Sequence, residues 1–195
     1  MAKPLRIITF GDSLTVGFQS PTAENPLGES TPYGRFLQEW LGDSAEILVR
    51  GVNGELTGEM VMRMGRDGIS LRPDYIVILG GANDVGWGAR PEEIMTNLVS
   101  MYERARATGI KPVAVTIPSI RGADSLIPPR RILGRMILDY CKTKSQPFVD
   151  LFTATAEPET LRLAEEYSND GLHLTTEGYR LLAELLYEQV FKSTA

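Results

Sequence analysis

A serine hydroxyl becomes a nucleophile only when a neighbouring base takes its proton, and histidine is the usual base because it titrates near neutral pH. The chain has one histidine, His173. It lies in Ser168-Asn169-Asp170-Gly171-Leu172-His173-Leu174, a polar loop ahead of an amphipathic run. Asp170 precedes it by three residues, and across one tight turn that spacing lets a carboxylate reach the Nδ1 proton of the imidazole, leaving Nε2 free to face a serine. A turn-capping aspartate beside a surface histidine has the same spacing, so DxxH alone leaves both readings open.

The matching serine is Ser13, in Gly11-Asp12-Ser13-Leu14 at the end of the first apolar run. A hydroxyl there is either a nucleophile or the cap of a following helix. Acyl transfer also needs donors aimed at the developing oxyanion. Gly51-Val52-Asn53-Gly54-Glu55 offers a glycine whose backbone N–H can approach a ligand, and Gly80-Gly81-Ala82-Asn83-Asp84 offers the Asn83 side-chain amide. Each glycine cluster reads equally as a plain turn.

The elements that must position these groups decide between the readings. Strands are expected at residues 5–10, 46–52, 75–79, 112–117 and 147–151, mostly as continuous apolar runs, with helices at 32–41, 58–68, 91–108, 130–144, 158–167 and 176–191. Such alternation is the pattern of a parallel sheet covered by crossover helices. Three consecutive strands then each deliver a candidate group to the carboxyl edge of the sheet, where open α/β sheets bind ligands, and the Asp-His segment follows the last strand. Two turn-rich loops, 18–31 and 118–129, border the same edge.

Four blocks in this order, GDSLTVG at 11–17, VNGE at 52–55, GAND at 81–84 and DGLH at 170–173, resemble those of the SGNH hydrolases, also called GDSL lipases and esterases. The resemblance covers nearly the whole chain. It implies a three-layer α/β/α sandwich around a five-stranded parallel sheet, flavodoxin-like in character. It also implies a serine ester hydrolase (EC 3.1.1) acting through an acyl-serine, with Ser13, Asp170 and His173 as its triad. Ser13 and Gly54 would give backbone oxyanion donors and Asn83 a side-chain donor. The second block departs from the Ser-Gly-Asp of many members, having Asn53-Gly54-Glu55, which keeps Gly51 as an alternative donor. Substrates within the family include alkyl and aryl esters, lysophospholipids, thioesters and acetylated sugars.

The remaining composition narrows the alternatives. A length of 195 residues, 43% of them hydrophobic, fits one domain over residues 1–195 with a sizeable core. A net charge of −5 without a basic run argues against nucleic acid. One cysteine, Cys141 in an apolar helical run, allows no internal disulfide, and neither an export signal nor a membrane-length apolar stretch is apparent, so a cytoplasmic protein is expected. One histidine and one cysteine leave too few ligands for zinc, and no metal or other cofactor is expected. No G-x-S-x-G elbow occurs, because position 15 is Thr15, and no phosphate-binding glycine run supports the rival class, a non-catalytic flavodoxin-like binding module. Phe18 and Trp87 follow the Ser13 and Asn83 blocks closely enough to line a substrate pocket, and Leu126 and Ile127 could deepen one. The polar mouth loops predict a shallow site and short acyl groups.

Overall fold

The computed structural model describes residues 3–23 and 25–192. The apolar run after Leu5 has no polar face, so it fits only where both sides are covered: β1 (Leu5–Gly11) has Ile7, Ile8 and Phe10 wholly buried. One short turn of helix, α1 (Ser13–Val16), and a small antiparallel hairpin, β2 (Phe18–Gln19) with β3 (Glu29–Ser30), lead to α2 (Tyr33–Leu41). Next come β4 (Ala45–Gly51), α3 (Thr57–Asp67), β5 (Tyr75–Leu79), α4 (Ala82–Gly86), α5 (Pro91–Ala107) and β6 (Lys111–Val115). The chain continues through α6 (Ile127–Lys144), β7 (Phe148–Val149), α7 (Leu151–Thr155) and α8 (Thr176–Leu186).

Five strands form a parallel sheet in the order β4-β1-β5-β6-β7. Helices α2 and α8 pack together against one face, and α3, α5 and α6 lie side by side on the other. The expected three-layer α/β/α arrangement is therefore the one adopted. Register fixes what matters for function: Gly11 stands level with Gly51 on β4 and with Leu79 on β5. The three segments that follow these residues leave the sheet at one height.

Sequence rules explain most helix ends. Helix α5 starts on Pro91, carries Glu92 and Glu93 at its positive end and Arg104 and Arg106 at its negative end. Helix α6 begins three residues before its expected start, because Pro128 and Pro129 occupy its first turn, where a missing N–H costs nothing. Two expectations need correction. Residues 147–151 yield only the two-residue β7, since Asp150 caps α7 through Thr153 and ends the strand. No α-helix forms at 158–167. Backbone there is claimed by distant partners instead: Leu163 N–H donates to Ile120, and its carbonyl accepts from the Arg121 side chain. Leu161 sits at φ 59°, and only a 3₁₀ turn, Glu165–Tyr167, remains helical. The last helix ends at Leu186 and passes into a π-helical turn, Tyr187–Phe191. Among the described residues no helix is long and apolar enough to cross a membrane.

Candidate active site

Ser13 is the first residue of α1, directly beyond β1, with its own N–H at a helix start that leaves it no intrahelical acceptor. The cap of this helix is Asp12, not Ser13: Asp12 Oδ1 accepts the Leu14 N–H at 2.9 Å. That frees the Ser13 hydroxyl, which lies 3.1 Å from His173 Nε2. His173 Nδ1 lies 2.8 Å from Asp170 Oδ2. The Ser13 hydroxyl, the imidazole and the carboxylate thus form one line, from residues far apart in the chain and from one tight turn.

That turn is built locally. Asp170 Oδ1 accepts the N–H groups of Leu172 at 2.8 Å and His173 at 2.7 Å, and the Ser168 hydroxyl donates to the His173 carbonyl at 2.6 Å. Gly171 makes the turn possible, since it has φ 81° and a Cβ there would meet the Arg121 carbonyl oxygen at 2.3 Å. Partial burial opposes ionisation of Asp170, but the hydrogen bonds from His173, Ser20 and the backbone outweigh it and hold the carboxyl well below its ordinary value. An ionised Asp170 accepts from Nδ1, so that nitrogen carries the ring hydrogen and Nε2 is left to accept from Ser13.

Beside Ser13, Asn83 Nδ2 donates to the Glu55 carbonyl at 3.0 Å, which joins the segment after β4 to the one after β5. Gly54, at φ 74° and exposed, donates no hydrogen bond through its N–H among the described residues. Gly51, by contrast, is packed: a Cβ there would meet the Val16 nitrogen at 2.5 Å. Its lack of a side chain serves the contact between β4 and α1. Asp84, next to Asn83, accepts from the Thr57 hydroxyl at 2.6 Å and from the Thr57 N–H, which locks α4 to the start of α3.

With a serine, histidine and aspartate aligned at the sheet edge and an asparagine amide beside them, the arrangement can carry out acyl transfer. A sequence profile described as the GDSL-like Lipase/Acylhydrolase family matches residues 9–181. The chain belongs to this family. Across 96% of its length this GDSL acylhydrolase is 24% identical to an arylesterase of Vibrio mimicus, 88% of which is covered. A GDSL-like lipase from Bacteroides thetaiotaomicron has the same fold, with a TM-score of 0.81 at 24% identity over 99% of this chain and 93% of that one. An acetyl xylan esterase from Geobacillus stearothermophilus gives a TM-score of 0.81 at 19% identity over 97% of each chain.

The pocket candidates of the GDSL acylhydrolase separate in space. Phe18 sets its ring edge-on to His173, with centroids 4.7 Å apart, so it lies at the site. Trp87 caps the end of α4 and is 84% exposed, a free indole one turn from Asn83. Ile127 is buried in a second small core with Ile120 and Phe152, and Leu126 packs against it. Leu172, the neighbour of His173, packs on the same cluster. Leu126 and Ile127 thus pack behind the histidine turn.

Three supporting side chains escaped the sequence reading. Arg63 pairs bidentately with Glu55, donates to the carbonyls of Gly11 at 3.0 Å and Arg50 at 3.2 Å, and stacks its guanidinium 4.0 Å over Phe10. Arg130 is 1% exposed and donates to the Pro118 carbonyl at 3.0 Å. Burial lowers its guanidinium to about 10 against the charge of Asp12. Ser20, on the β2–β3 hairpin, donates its hydroxyl to Asp170 Oδ2. A strongly amphipathic helix could have flagged Arg63 as an oddly placed cation, but no signal in the sequence marks Ser20.

Proposed function

We propose that this acylhydrolase is a serine hydrolase of short-chain carboxylic esters, with Ser13 as nucleophile, His173 as general base and Asp170 as the residue that orients it. The observation that carries this reading is the continuous pair of contacts, 3.1 Å from Ser13 to His173 and 2.8 Å from His173 to Asp170. His173 takes the Ser13 proton as Oγ attacks the ester carbonyl. The oxyanion rests on the N–H groups of Ser13 and Gly54 and on the Asn83 amide. The imidazolium then gives its proton to the leaving alkoxide, and water, deprotonated by the same ring, releases the acid from the acyl-serine.

The names of relatives, an arylesterase and an acetyl xylan esterase, are in keeping with a small acyl group. One continuous buried core supports treating the chain as a single hydrolase domain. A second reading within the class, removal of acetyl groups from sugars, is favoured by the exposed Trp87 indole, which suits a sugar ring on the alcohol side. Hydrolysis of p-nitrophenyl acetate by the parent and by Ser13→Ala tests the mechanism, together with mass spectrometry after a fluorophosphonate. The parent should turn over ester and gain one adduct on Ser13. A folded Ser13→Ala protein that retains parental rates would refute it.

A further inference from the structure

Asp170 accepts four hydrogen bonds on two oxygens. Leu172 N–H and His173 N–H reach Oδ1, while His173 Nδ1 and the Ser20 hydroxyl share Oδ2. Three of these donors belong to Leu172 and His173 and are present whenever that turn forms. The fourth comes from 150 positions away, on a different element.

That element is held in place independently. The Tyr179 hydroxyl of α8 donates to the Phe18 carbonyl at 2.8 Å, and the Gln19 amide donates to the Thr176 hydroxyl at 2.9 Å. Asn169 donates to the Ser20 carbonyl at 3.3 Å, and the Phe18 ring rests edge-on against His173. Ser20 is therefore delivered to Oδ2 by a hairpin tied on both sides of it, and it competes with the imidazole for the same oxygen.

We propose that Ser20 is a positioning residue for the Asp170–His173 pair: by sharing Oδ2 it fixes how the carboxylate faces the ring and how much of its charge the ring feels. It thereby sets the pH at which the enzyme gains activity. The proposal rests on the Ser-His-Asp reading above. Other ionisable groups whose charges act on the pair are Asp12, ahead of α1, and Tyr179 on α8, and neither donates to Oδ2 among the described residues.

A neutral donor on a carboxylate draws charge away from its other partners. Removing it leaves the full charge to stabilise the imidazolium, so the base loses its proton only at higher pH. In Ser20→Ala the acidic limb of kcat/KM should move up by roughly half a pH unit, about threefold in rate on that limb, with KM little changed. Ser20→Thr, which keeps the hydroxyl, should retain the parental limb, and Tm reports whether each variant is folded. An Ala limb that coincides with the parent's would overturn the proposal, whatever happens to kcat or Tm, because a structural role alone predicts that result. A Thr limb displaced as far as that of Ala would overturn it too. Ser13→Ala is assayed in parallel: if it keeps parental turnover, the triad reading itself fails and this proposal falls with it, a result distinct from an unmoved limb.

Discussion

In the proposed mechanism Asn83 is an oxyanion donor, and its amide is held in place before substrate arrives. Its amide donates to the Glu55 carbonyl at 3.0 Å and lies 3.5 Å from Asp12 Oδ2, which fixes the plane of the group next to the Ser13 segment. A donor held this way acts on the charge that appears in the transition state, so Asn83→Ala should lower kcat by about 10²–10³-fold with little change in KM. A rise in KM at constant kcat would reassign Asn83 to substrate binding. The neighbouring Asp12 behaves differently, because it is wholly buried. Desolvation lifts its carboxyl to about 7 despite the Leu14 N–H and the charges of His173 and Arg130. Between about pH 4, where the unfolded chain releases this proton, and about pH 7, where the folded one does, only the folded state holds it. The contribution of Asp12 to stability therefore falls as pH rises through that window. Asp12→Asn keeps the acceptor for Leu14 and cannot ionise, so its Tm should decline less than the parent's from pH 4 to 7; parallel curves would contradict the account.

At the scale of elements, the site exists because the ends of β1, β4 and β5 are tied together, and Arg63 on α3 does much of the tying. It and Glu55 are nearly buried, with side-chain exposures of 9% and 6%. Arg63→Ala would strand the Glu55 carboxylate and leave the Gly11 and Arg50 carbonyls without this donor, a loss of about 3–5 kcal/mol in unfolding free energy. Replacing both partners, as Arg63→Met with Glu55→Leu, should recover most of that loss, since two apolar groups leave no buried charge unpaired. A double variant as unstable as the single one would place the stabilisation elsewhere. Local signals carried many of the elements: β1 and β5 are legible as unbroken apolar runs, α5 by its proline, its acidic first turn and its basic last turn. The failure at 158–167 has the opposite cause, because its apolar spacing is helical but its backbone bonds go to residues 120 and 121. The site divides the same way. Ser13 and Asp170–His173 are legible because turn and spacing are local, whereas Ser20 and Arg130 acquire meaning only from contacts made across long stretches of chain.

For the molecule as a whole, the decisive quantity is how much apolar surface faces the acyl group. Growth of an acyl chain is rewarded by about 0.8 kcal/mol, roughly fourfold, for each methylene moved from water into a dry channel. Such a channel needs a continuous apolar wall running away from Ser13. The residues best placed by sequence to form one, Leu126 and Ile127, are engaged in the core behind Leu172, where they stiffen the histidine turn. Apolar side chains exposed near the strand ends, Val52 at 45% and Trp87 at 84%, lie on the separate segments that follow β4 and β5, and Leu27, at 94%, lies on a third, between β2 and β3. Isolated residues of that kind can hold an alcohol group or a sugar ring on one face, but they cannot enclose an alkyl tail. Across p-nitrophenyl esters, kcat/KM should therefore be greatest between acetyl and butyryl and fall for longer chains, and Trp87→Ala should raise KM for bulky alcohol groups more than it alters the acyl profile. A rate that climbs steadily to palmitate, and that Leu126→Ala or Ile127→Ala cuts back, would mean that the 118–129 loop opens to form the channel after all.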